Sequence, residues 1–154
     1  MEVAILVGLP GAGKTSFFRA QLAASHVHVS KDVLGHGRDT SRRQLELVTQ
    51  ALRAGRSVAV DNTNPRVEDR APIIALARAA GARVVAYALD TTPRESAARN
   101  RAREGRERVP GLAVFVTAKR LQPPTAAEGF DAVYRVRAEG GGFDVVAADG
   151  GSPA

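Results

Sequence analysis

Gly8-Leu9-Pro10-Gly11-Ala12-Gly13-Lys14-Thr15 follows directly on the apolar run Val3-Ala4-Ile5-Leu6-Val7. The run reads as a buried strand, and the eight residues after it complete the pattern G-x-x-x-x-G-K-S/T where a strand turns into a helix. In that context the glycines let the main chain approach phosphate oxygens. Bare backbone N–H groups curl around those oxygens, and the helix N-terminus adds partial positive charge. Lys14 then reaches the β- and γ-phosphates and the Thr15 hydroxyl ligates Mg2+, so the stretch implies a nucleoside triphosphate bound as its magnesium salt. The phosphate-binding candidates are Gly8, Gly11, Ala12, Gly13, Lys14, Thr15 and Ser16. Lys14, Lys31 and Lys119 are the only lysines among 22 basic residues. A chain that uses arginine nearly everywhere keeps lysine where a compact ammonium must fit among phosphates.

Outward from this loop the chain alternates strand and helix. Thr15 to Ala24 predicts a helix with Phe17, Phe18 and Leu22 on its apolar face, and His26 to Ser30 alternates as a short strand with Lys31-Asp32 at its end. After a loop at residues 35–39, Thr40 is placed as the N-cap of a helix carrying Leu45, Val48 and Leu52. Ser57 to Val60 is a third strand followed by Asp61-Asn62-Thr63-Asn64, with Pro65 in a favoured first helical position. Arg83 to Leu89 is apolar enough for a central parallel strand, and Thr92-Pro93-Arg94-Glu95 is a capping box opening the next helix. A further helix is expected from Leu112 to Leu121 and a last strand from Val133 to Val136. The pattern predicts an α/β fold of the P-loop kinase kind: a central parallel sheet flanked by helices on both faces, with an arginine-rich helical lid. Residues 1–138 form the expected domain, and 139–154 an expected loose tail with one strand candidate at residues 143–146.

At 154 residues the chain is long enough for one such sheet. It has no cysteine, no charged-then-apolar leader and no apolar run near the ~18 residues of a membrane span, so a soluble, cytoplasmic protein without thiolate metal sites is expected. The net charge of +6 and pI near 10.7 favour an anionic partner, or reflect compositional bias alone.

A bound magnesium nucleotide can be hydrolysed, read as a switch or used as a phosphoryl donor, and the remaining residues choose among these. Transfer to a hydroxyl benefits from a carboxylate that orients the hydroxyl and accepts its proton. Asp32, just past a strand end, is either that group or a turn-capping residue. Asp61 either holds Mg2+, through water, or stabilises the Asn62 to Asn64 turn. Asn62 is a candidate on the acceptor side. The five arginines between Arg99 and Arg108 form either a solvated helix face or a lid that brings guanidinium groups onto the phosphates. His26, His28 and His36 do not compose a metal set and are expected in structural or solvent-facing roles.

Five segments in this order resemble one family. They are the phosphate loop, Val27-His28-Val29-Ser30-Lys31-Asp32-Val33-Leu34-Gly35, Val60-Asp61-Asn62-Thr63-Asn64-Pro65, the arginines Arg99 and Arg103, and Pro124-Thr125-Ala126-Ala127-Glu128-Gly129-Phe130. Together they resemble the kinase domain of polynucleotide 5′-hydroxyl kinases, especially of the polynucleotide kinase/phosphatase type, over roughly residues 3–137. The resemblance implies transfer of the ATP γ-phosphate to a 5′-OH end of DNA or RNA, in a single strand or at a nick, as in end processing and repair. It implies Asp32 as general base, Lys14 and Thr15 as phosphate and magnesium groups, Arg103 as the lid arginine, Arg99 on the nucleotide and Arg101 as a helper. Lys31 stands where such kinases often have arginine, on the acceptor phosphate. No phosphatase half accompanies the match, so no 3′-phosphatase activity is expected. A kinase of a small hydroxylated molecule (sugar, nucleoside or antibiotic) would use the same catalytic parts, and an ATP-gated binding module would lack a role for Asp32.

Overall fold

The computed structural model describes residues 1–34, 39–102 and 111–148, and the side chains of Asp32 and Val33 lie outside that description. Six strands form one sheet in the order β2-β3-β1-β4-β5-β6. The first five are parallel: β1 (Glu2–Val7), β2 (His26–Val29), β3 (Ser57–Asp61), β4 (Arg83–Leu89) and β5 (Ala132–Glu139). β6 (Gly142–Ala147) runs antiparallel to β5.

Because side chains alternate across a strand, β1 divides its apolar run between two cores. Val3, Ile5 and Val7 pack with Val58, Val60 and Val84 against α3 (Thr40–Arg53) and α4 (Val67–Ala79), which contribute Val48, Leu52, Ile73 and Ala77. Ala4 and Leu6 face the other way, onto Phe17, Leu22, Ala97 and Val114 from α1 (Lys14–Phe17), its continuation, α5 (Pro93–Arg101) and α6 (Gly111–Arg120). Val3 to Val7 are each at most 1% exposed, so each buried Val, Leu or Ile contributes about 1.5–3 kcal/mol and the phosphate loop leaves from the most anchored strand.

Several element boundaries differ from the sequence reading. The helix expected from Thr15 to Ala24 is α-helical only through Phe17 and continues as a π-helical segment, Phe18–Leu22, closed by Ala23 N–H to Phe18 O at 2.8 Å. The wider turn goes with both adjacent phenylalanines being buried: Phe17 meets Tyr87 and Phe143, and Phe18 stacks on His28. Lys31-Asp32, placed by the sequence just past the end of the second strand, opens a single helical turn, α2 (Lys31–Leu34). Pro65 precedes its helix rather than starting it. Arg66 is the cap, its amide held by the Asp69 carboxylate at 3.0 Å, because Asn64 at φ +44° turns the chain before helix geometry begins. Of the capping box expected at Thr92, the N-cap bond forms, with Glu95 N–H donating to Thr92 Oγ1 at 3.1 Å, while the Glu95 carboxylate accepts from the Thr92 hydroxyl at 3.2 Å.

The sheet also extends past residue 138. Gly140 and Gly141, at φ +56° and +81°, make a two-residue turn whose twist suits a hairpin, and β6 pairs with β5 from Glu139–Gly142 to Tyr134–Ala147. Among the described residues, no helix is long and apolar enough to cross a membrane.

Candidate active site

Parallel pairing sets the strand ends side by side: Leu6 is level with Asp61 on β3, and Val29 on β2 is level with Val60. The phosphate loop, the Asp61 segment and the α2 turn therefore share the carboxyl edge of the sheet, where open α/β sheets bind ligands.

Within the loop, Ala12 N–H closes a tight turn onto Leu9 O at 3.0 Å. Lys14 is buried, and its ammonium donates to Gly8 O at 3.1 Å and Leu9 O at 2.8 Å, so the loop's own carbonyls hold the cation. Gly8 N–H donates to Thr63 O at 3.1 Å, and Asn64 Nδ2 to Leu6 O at 2.8 Å, which stitches the segment after β3 to β1 and its loop.

Gly11 has a use that the motif alone does not reveal. At φ +83°, a Cβ added there would lie 2.3 Å from Ser96 O and 3.0 Å from Asn100 N, both main-chain atoms of α5. The glycine lets α5 lie directly on the phosphate loop, and the same approach sets Arg99 Nη1 3.5 Å from Ala12 O. Gly11→Ala is expected to lose at least about 1–3 kcal/mol of stability through strain and displacement of α5. Denaturant midpoints with and without ATP check this, since displacement of α5 also weakens nucleotide binding.

Thr15 Oγ1 donates to Asp61 Oδ2 at 2.8 Å, and His28 Nε2 lies 2.8 Å from the same oxygen. Burial of Asp61 raises its pKa, but hydrogen bonds from His28 and Thr15 and the charge of Lys14 outweigh it, and the carboxyl is held below its ordinary range. An ionised carboxylate only accepts, so Nε2–H of His28 is the donor. The donor set fits Mg2+: one hydroxyl and one ionised carboxylate, hard oxygens of the kind that hold this ion together with substrate phosphates and water.

Asn62 Oδ1 accepts from Lys31 N–H at 2.8 Å, and its Nδ2 donates to Gln44 Oε1. The turn that carries Asp32 is thus tied to the residue next to Asp61. Ser16, Arg99 and Arg101 are exposed, and Lys31 is half-buried. Arg103, Arg106 and Arg108, like His36, lie outside the described residues.

Sequence reasoning missed three residues here. His28, expected in a structural or solvent-facing role, hydrogen-bonds Asp61, a partner the sequence did not name. Gln44 falls one helical turn before Val48 and two before Leu52 on the buried stripe of α3, and a polar residue on that stripe was a readable signal. Arg70 is fully buried; its Nε and Nη2 meet the two Glu128 carboxylate oxygens at 2.8 and 3.0 Å and its Nη1 donates to Asn64 O at 2.8 Å. Glu128 also accepts from Thr125 N–H at 2.9 Å, so the Thr125–Glu128 segment and the Asn64 turn are clamped by one guanidinium.

Beside the loop opens a cavity of about 630 Å3. Leu9, Leu89, Pro93 and Leu121 give it apolar walls, and Asp90 and Arg135 supply charge.

A family model described as AAA_33, an AAA domain, matches residues 3–124. The chain belongs to that family. Its fold is that of P-loop kinases. The chain is similar to the bifunctional polynucleotide phosphatase/kinase of Schizosaccharomyces pombe, 28% identical over 139 residues that make up 88% of this chain and 33% of that protein. It thus spans about a third of that relative's length. Its fold is also that of a fungal RNA kinase (TM-score 0.69, 15% identity, 90% of this chain and 78% of the other). A gluconokinase from Sinorhizobium meliloti shares the fold as well (TM-score 0.61, 17% identity, 88% and 82%).

Proposed function

We propose that this P-loop kinase domain transfers the γ-phosphate of ATP to the 5′-hydroxyl end of a polynucleotide. The observation that carries the reading is the similarity to the S. pombe polynucleotide phosphatase/kinase across 88% of the chain. The basic excess of the sequence supports it, as phosphate-rich strands are the natural partner of an arginine-rich surface.

In this reading the triphosphate lies in the loop, with Lys14 turning from its carbonyl partners to the β- and γ-phosphates. The nucleoside occupies the cavity that Leu9 shares with the loop, whose volume suits a ligand of that size. Asp32 accepts the 5′-hydroxyl proton as that oxygen bonds to the γ-phosphorus. The bond from phosphorus to the β,γ-bridging oxygen breaks, and ADP and a 5′-phosphorylated end leave. Lys14, Arg99, Arg101 and Arg103 neutralise charge spreading over the transferred oxygens, and Lys31 meets a phosphate of the acceptor strand. Thr15 and, through water, Asp61 would hold Mg2+, which would supply charge neutralisation to the triphosphate.

The shared fold with a gluconokinase favours a second reading, a small hydroxylated acceptor. Acceptor-dependent ADP release separates the two. Stimulation by a 5′-hydroxyl oligonucleotide, falling steeply between roughly 50 and 200 mM salt, is the expected result. Stimulation by sugars or nucleosides alone, indifferent to salt, would assign the small-molecule acceptor.

A further inference from the structure

Gln44 lies on α3 and was given no chemical role above, yet it is only 4% exposed and it accepts from Asn62 Nδ2. The Lys31 main-chain N–H is a donor whose identity is not in question, and it points at Asn62 Oδ1 at 2.8 Å. That contact fixes which end of the Asn62 amide is oxygen. The nitrogen end must then face Gln44, and the Gln44 atom there must be its oxygen. The two amides hold each other in one of two flips. In the other flip, an Asn62 NH2 would oppose the Lys31 N–H, donor against donor, and the tie to α2 would be lost.

Asn62 follows Asp61, whose carboxylate joins Thr15, and Lys31 precedes Asp32. The Asn62 side chain is thus a spacer between the nucleotide side of the cleft and the turn on the acceptor side, and Gln44 sets its direction. We propose that Gln44 is a positioning residue: by orienting the Asn62 amide it holds the Lys31 amide, and with it the turn carrying Asp32, in register with the Asp61–Thr15 pair. The proposal rests on the polynucleotide kinase reading for its catalytic consequence, though not for the amide relay itself.

Gln44→Met keeps the length and helix preference of the side chain and removes the amide, and with it the acceptor for Asn62 Nδ2. It is expected to lower kcat for an oligonucleotide acceptor by about 10- to 100-fold, the usual range for losing a residue that orients a working group, with KM for ATP within about twofold of wild type. In an Asn62→Ala background the same change is expected to have no further effect, because Gln44 acts only through Asn62. A residue that merely fills the core would instead lower stability and activity equally in both backgrounds, and that result would overturn the proposal. The Lys31 amide gives a readout free of any assumption about the substrate: hydrogen exchange at this N–H should accelerate in Gln44→Met while exchange in β1 stays unchanged. Unaltered Lys31 exchange overturns the proposal whatever the acceptor. Accelerated exchange in a protein whose wild type leaves oligonucleotides unlabelled would retain the relay and reject the polynucleotide reading.

Discussion

Asp32→Asn is expected to slow phosphate transfer to a 5′-hydroxyl oligonucleotide by about 10²–10⁴-fold, the range in which a positioned general base contributes. The substitution keeps size and polarity and removes only the capacity to take a proton. Binding of ATP should change little. The groups assigned to it, Lys14, Thr15 and Asp61, stand on β3 and on the loop and helix after β1, whereas Asp32 belongs to α2 beyond β2. Single-turnover transfer beside calorimetric titration with ATP reads both quantities. Turnover near wild type in the variant would remove Asp32 from the chemistry and leave its position a matter of turn structure.

Arg70→Met is expected to cost about 3–5 kcal/mol of folding stability, the loss seen when one partner of a buried ion pair is removed. Arg70 is 0% exposed, and its side chain satisfies Glu128 twice and Asn64 O once. Without it, the buried Glu128 carboxylate loses its counter-charge and keeps only the Thr125 N–H, and Asn64 O loses the Arg70 donor, a penalty comparable to a large part of a small domain's total stability. The companion change Glu128→Leu in the Arg70→Met background should recover much of the loss, because an apolar pair of similar volume strands no charge. Urea denaturation of the single and double variants checks this. Equal destabilisation in both would mean the cost lies in packing rather than in the stranded carboxylate. The clamp gives a physical reason for two segments quoted from the sequence, Asp61 to Pro65 and Thr125 to Phe130: one guanidinium joins the Asn64 carbonyl to the Glu128 carboxylate, so they serve the shape of the cleft's edge.

Much of the fold was legible because its signals are local. The run Val3 to Val7, the glycine-rich turn and the Thr92 capping box each declare an element within a few residues, and the alternation of strand and helix then dictates a mostly parallel sheet. The hairpin of β5 and β6 was legible only as a strand candidate at residues 143–146, with Gly140-Gly141-Gly142 read into a loose tail, because a strand so exposed carries little apolar pattern to mark it.

The partners inside the cleft were not legible, since they depend on contacts between residues far apart in the chain. His28 and Asp61 are separated by 33 positions, Asn62 and Gln44 by 18, and Arg70 and Glu128 by 58. No period or spacing encodes such pairs. The residues of the phosphate loop could be named from sequence because a single turn holds them, yet even there the role of Gly11 against α5 depended on where a helix more than eighty residues later comes to rest.

The central claim is that this cleft phosphorylates 5′-hydroxyl ends of nucleic acid, and transfer of label from γ-labelled ATP tests it most directly. The protein, ATP and Mg2+ are incubated with a short 5′-hydroxyl oligonucleotide and, in parallel, with the same oligonucleotide already 5′-phosphorylated. Label on the first alone is the predicted result. Label on neither, in a protein shown to bind ATP, would contradict the account and assign the cleft to a small hydroxylated acceptor.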